Sequence, residues 1–133
     1  MLKAVFDTNV YISALIAQGS KAERAYLHAV EGRIAFYTSV PILTEMAEKL
    51  RTKFLWEDDK IIGAVKHISA IAAVLRPGFR ISILKDDPDN RVLECARQGR
   101  TDLIVTGDKH LLSLGRFEST RIVKLGEFLE SIK

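Results

Sequence analysis

The chain switches repeatedly between two hydrophobic rhythms. Short runs rich in branched and aromatic side chains predict strands at 3–6, 34–38, 81–84, 103–106 and 121–124. Between them, apolar residues recur every three to four positions, which predicts helices at 10–17, 20–31, 41–53, 58–75, 88–98, 109–114 and 127–132. Strands separated by helices need crossover connections. The pattern therefore predicts an α/β fold, a single three-layer α/β/α domain over residues 1–133 with a parallel, roughly five-stranded sheet.

Local chemistry supports several of these boundaries. Ser39 stands before Pro41, where a hydroxyl caps a helix and proline occupies the first turn without losing a hydrogen bond. Gly32 and Gly99 read as helix stops, and Gly126 as part of the entry to the last helix. Arg76-Pro77-Gly78 reads as a turn before the strand at 81–84. No repeat or low-complexity tract interrupts the pattern.

Composition narrows the classes. Apolar residues make up 47% of 133, enough for one core. Twenty basic against seventeen acidic residues give a net charge of +3, which permits nucleic-acid binding without requiring it. A single cysteine, Cys95, rules out an internal disulfide and multi-cysteine zinc motifs, and it reads as core packing in a reducing compartment. The opening apolar stretch is too short for a signal peptide, and no run is long enough to span a membrane; a cytoplasmic protein is expected.

The chemistry concentrates in four acidic signatures. Asp7-Thr8-Asn9 follows the first strand, and Thr106-Gly107-Asp108 follows the fourth. Asp87-Pro88-Asp89-Asn90 opens a helix, and Glu45 borders the apolar face of another. Each has a plain alternative: Asp7, Asp108 and either aspartate around Pro88 read equally as helix caps, and Glu45 as a solvated helix face. Taken together they differ. Carboxylates at the carboxyl ends of parallel strands converge on the crevice where open α/β sheets bind ligands. Clustered acids repel unless a cation offsets them, and an all-oxygen set without supporting histidine or cysteine suits magnesium or manganese better than zinc. Asp86 and Asp87 compete with Asp89 for the same role. No nucleophile elbow or phosphate-binding glycine loop is present, which argues against serine hydrolase and P-loop chemistry.

These motifs, in this order, resemble the PIN-domain nucleases, in particular toxin-like members of the VapC type. The resemblance rests on Val5-Phe6-Asp7-Thr8-Asn9, Ser39-Val40-Pro41 leading to Glu45, Asp87-Pro88-Asp89-Asn90, and Thr106-Gly107-Asp108 after Leu103-Ile104-Val105. It implies that Asp7, Glu45, Asp89 and Asp108 bind Mg2+ or Mn2+ for phosphodiester cleavage of RNA, with Asn9 and Thr106 as supporting polar groups. It further implies a homodimer and a small antitoxin partner. Many relatives carry another aspartate two places after the last acid; this chain has His110 there, so His110 is a candidate for phosphate or metal contact. Lys109, Arg91, Lys49, Arg51 and Lys53 are the basic residues nearest the motifs and thus candidates for RNA. Two other readings remain: a phosphotransfer domain on a similar sheet, and a non-catalytic RNA-binding or interaction module.

Overall fold

A computed structural model describes residues 1–132. Its strands are β1 (Lys3–Phe6), β2 (Ala35–Ser39), β3 (Ala72–Leu75), β4 (Leu103–Val105), β5 (Arg116–Phe117) and β6 (Thr120–Val123). They form one sheet in the order β3-β2-β1-β4-β6-β5, parallel except for the β5–β6 hairpin. The helices are α1 (Thr8–Ile16), α2 (Lys21–Val30), α3 (Val40–Thr52), α4 (Asp58–Ile71), α5 (Asp87–Gly99), α6 (Lys109–Leu114) and α7 (Leu125–Ser131). From β1 the chain adds β2 and then β3 on one side; β4 and β6 go on the other. Right-handed crossovers therefore put α5 and α6 on the opposite face from α1 to α4. The direction of growth reverses between β1 and β4, which is the switch point where such sheets open a crevice.

The central strand is sealed on both faces. Ala4, Val5 and Phe6 are fully buried, as the middle strand of a parallel sheet requires. The Phe6 ring meets Phe36 edge to face at 4.5 Å and Phe128 at 5.6 Å. Such pairs add about 0.5–1.5 kcal/mol beyond burial, and here they tie the strand bearing Asp7 to β2 and α7. Cys95 lies in this core, where burial pushes its thiol up to about 12.

Three elements differ from the sequence expectation. The helical pattern at 58–75 ends at Ile71, and Ala72–Leu75 turns into an edge strand paired with Phe36 to Ser39. No glycine or proline marks that change; pairing with β2 overrides the helix preference of the two alanines. The expected strand at 81–84 is a loop instead. Its backbone groups are met by side chains of α5: Asn90 bonds both the N–H and the C=O of Leu84 at 2.9 Å, Glu94 accepts the Ile81 N–H at 2.7 Å, and Arg91 donates to the Ile81 carbonyl at 2.9 Å. A helix face thus takes the place of a neighbouring strand. The short β5 was not anticipated, because two residues are too few to show a period.

Glycine roles divide as well. Gly32 takes φ +75 just past α2, as a helix stop does. At the end of α5 it is Arg100 that is left-handed, at φ 49, while Gly99 is needed for closeness. A Cβ on Gly99 would meet Tyr37, Thr101 and Leu75 at 3.0–3.2 Å. Gly126 lies in the first turn of α7, and Ser39 caps α3 ahead of Pro41, both as expected.

Candidate metal centre

The first acid follows directly from sheet pairing. Asp7 is the residue after Phe6, and its N–H bonds the Val105 carbonyl at 3.2 Å, so β4 carries it to the sheet edge. One carboxylate oxygen caps α1 by accepting the Val10 N–H at 3.0 Å. The other accepts the hydroxyl of Thr106. Burial raises the Asp7 pKa above the ordinary carboxylate value, against the lowering effect of those two hydrogen bonds.

Asp108 repeats the cap at α6. Its Oδ1 accepts the N–H groups of His110 at 2.9 Å and Leu111 at 3.0 Å, and its own N–H bonds Thr106 Oγ1 at 3.0 Å. Capping and site membership are thus compatible for Asp7 and Asp108, since a cap occupies one oxygen and fixes where the other stands. Around Pro88 the cap reading fails. Asp86 precedes α5 without a side-chain cap bond, and Asp87 pairs with Arg91 at 3.2 Å and Arg80 at 3.5 Å. Asp89 instead turns inward.

Carboxylate oxygens of Asp86, Asp89 and Asp108 all lie within 4.8 Å of one another. The preference for Asp89 over its neighbours therefore resolves into two residues: Asp86 and Asp89 share the cluster, while Asp87 faces the arginines. Burial first, then the negative charges of Asp108 and Asp86, push Asp89 up to about 7. Its Oδ2 is buried with no hydrogen-bond partner. An orphaned, inward-facing carboxylate oxygen beside two more carboxylates fits a divalent cation. Oxygens around one magnesium stand about 3.0 Å apart when adjacent and about 4.2 Å when opposite, so the three groups would draw together on binding the ion.

Asp7, Thr8, Asn9, Glu45, Lys49, Asp86, Asp89 and Asp108 line one cleft of about 40 Å³. Glu45 is held by Lys49 at 3.0 Å and receives the Thr8 hydroxyl at 3.5 Å, while Lys49 also reaches Asn9 Oδ1 at 3.3 Å. Thr8 escaped the sequence reading; its place between two named motif residues was the available signal. Neither His110 nor Lys109 lines this cleft, and both are exposed on the first turn of α6.

The basic residues near the motifs are mostly committed elsewhere. Lys49 neutralises Glu45. Arg91 is only 8% exposed and pairs with buried Glu94 at 3.0 Å, and Arg51 pairs with Asp58 at 3.1 Å. The segment 53–56 leaves Phe54 and Leu55 exposed and stacks Lys60 over Trp56 at 4.0 Å.

The sequence profile of the PIN domain matches residues 3–110, which contain all of the acids in this cleft. The chain belongs to the PIN domain family. PIN domains are generally nucleases, which makes a phosphodiester-cleaving role the family expectation. An uncharacterized protein of Methanocaldococcus jannaschii, MJ1680, is 33% identical over 118 residues, covering 85% of this chain and 75% of that protein. Solved structures share the fold. A chain of VapBC2 from Rickettsia felis, bound to a DNA fragment from its promoter, superposes with TM-score 0.65 at 10% identity, covering 92% of this chain and 98% of that one. FitAB bound to the IR36 DNA fragment gives 0.53 at 13% identity, covering 92% and 94%. PAE2754 from Pyrobaculum aerophilum gives 0.52 at 15%, covering 98% and 96%. Among the described residues no helix is long and apolar enough to cross a membrane.

Proposed function

We propose that this PIN domain is a magnesium- or manganese-dependent endoribonuclease, cytoplasmic, and the toxin of a toxin–antitoxin pair. The observation that carries the nuclease reading is the convergence of Asp86, Asp89 and Asp108 within 4.8 Å at the sheet's switch point, beside Asp7 and Glu45. Asp86, Asp89 and Asp108 would hold the ion, with Asp7 beside them. A divalent ion bound there lowers the pKa of water and offsets charge on the scissile phosphate.

The protein's own groups do the positioning. Thr106 keeps Asp7 and Asp108 in register by bonding both. Asn90, Arg91 and Glu94 hold the loop leading into Asp86 against α5. Lys49 balances Glu45, so the cleft carries less net repulsion toward an incoming phosphate than its five acids alone would impose.

The antitoxin part of this reading is supported by the likeness to chains from VapBC2 and FitAB, and a homodimer is proposed with it. Co-purification with a short second chain and the solution mass test them. The enzymatic part is tested by incubating a panel of RNAs with Mg2+, Mn2+ or EDTA, using the native chain beside Asp7→Asn. Cleavage with either metal, lost in EDTA and in the variant, is expected; equal cleavage by both proteins would overturn it.

A further inference from the structure

Continuing the sheet's carboxyl edge past the acids leads to a second surface. Phe6 is in register with Val105, and Val105 with Val123, so Asp7, Thr106 and Lys124 are the next residues on three adjacent strands. At the usual strand spacing, the Lys124 backbone stands about 10 Å from that of Asp7. Thr106 is the hinge between the two places. Its hydroxyl serves the acids, and with Gly107 it also floors a separate open groove of about 510 Å³ lined by Lys21, Lys124, Leu125, Gly126 and Glu127.

The groove's charges are free in a way that those of the acid cleft are not. Lys21 and Lys124 are exposed and, among the described residues, neither forms an ion pair; Glu127 is taken by Arg121 at 3.2 Å. Lys21 reaches across the groove, its Nζ 3.6 Å from where a Cβ on Gly126 would stand. A Cβ on Gly107 would meet nothing within 4 Å, so the space above the floor is open. The lining contains no aromatic ring on which a base could stack.

We infer that this groove is a backbone track for single-stranded RNA, in which Lys21 and Lys124 hold phosphates next to the one being cut. The RNA class rests on the ribonuclease reading above, while the track itself rests on the placement of the lysines. Two ammonium groups without base-stacking partners recognise phosphate alone, so binding here is salt-dependent and indifferent to sequence. It also adds positive charge beside the cleft, where Lys49, Arg51 and Arg91 are already paired with acids.

The test is fluorescence anisotropy with a labelled oligouridylate of about 12 nucleotides in EDTA, over a salt series, using the full chain and Lys21→Glu/Lys124→Glu. The double variant should bind at least about tenfold more weakly at low salt, and the log–log salt slope should fall by about 0.7 for each lysine. Gly107→Glu, whose Cβ would meet nothing within 4 Å, adds negative charge at the groove floor and should weaken binding in the same direction. Unchanged affinity and slope in these variants, or no binding by the native chain, overturns the track. Manganese-dependent cleavage of the same oligomer is scored separately: a native chain that cleaves while its variants bind normally loses the track and keeps the nuclease, and one that binds through the lysines without cleaving does the reverse.

Discussion

Thr106 donates its hydroxyl to the Asp7 carboxylate across two neighbouring strands, and the same oxygen accepts the N–H of Asp108 at 3.0 Å. One fully buried threonine therefore sets the relative position of two acids separated by a hundred residues of chain. Its role follows from the sheet: only parallel pairing of β1 with β4 brings these residues side by side.

Replacing that hydroxyl should be costly in a specific way. Thr106→Val leaves a buried Asp7 oxygen without its partner, a loss of about 1–3 kcal/mol. It should also raise the Asp7 pKa further and weaken metal binding. Chemical denaturation and manganese titration check both effects, and Thr106→Ser should restore most of each.

Asp89 makes a prediction about pH. Its pKa in the fold is about 7, above the unfolded carboxylate value of 3.8, so the folded state binds more protons between those limits. Stability from this group is fully present below the unfolded value and is lost as pH rises to about 7. The metal-free protein should therefore melt at progressively lower temperature across that window. Added manganese competes with the proton, so its affinity should tighten as pH approaches and passes about 7. Asp89→Asn should flatten the melting profile; a profile as steep as that of the native chain would contradict the assignment.

The α5 clamp should show in hydrogen exchange. Glu94→Ala removes the partner of a buried arginine, and breaking such a pair costs about 3–5 kcal/mol. Exchange at the Ile81 amide should accelerate strongly, because Glu94 is its acceptor at 2.7 Å. Asn90→Ala should do the same at Leu84 with a smaller loss of stability, about 1–3 kcal/mol.

Gly99 offers a test of packing. Gly99→Ala brings a methyl within 3.0–3.2 Å of three side chains, which overpacking measurements put at about 1–3 kcal/mol. Arg100→Gly, by contrast, relieves a left-handed arginine at φ 49 and should be neutral or slightly stabilising. Thermal melts of the two variants should move in opposite directions, or the second not at all.

The fold class was legible because buried strands and amphipathic helices differ in period, and Ser39, Pro41 and Gly32 mark their ends chemically. What was hidden depended on contacts between distant residues. Ala72–Leu75 carries no breaker before it and becomes a strand only beside β2. The loop at 81–84 has a strand's composition, yet its hydrogen bonds go to Asn90, Arg91 and Glu94. At the site, the motif order pointed to the acids that line the cleft. Spacing alone did not reveal that Asp86 joins Asp89, because the two lie on either side of a helix start. Nor did it show that Lys49 and Arg91 already have partners, since near neighbours in sequence look like free charges until the structure pairs them.

The most direct test of a single divalent-ion site is anomalous diffraction at the manganese edge from crystals soaked in Mn2+. One strong peak should lie within about 2.2 Å of carboxylate oxygens of Asp86, Asp89 and Asp108, close to Asp7, and it should vanish in Asp89→Asn. Manganese bound elsewhere, or an unchanged peak in that variant, would contradict the assembly of these acids into one metal centre.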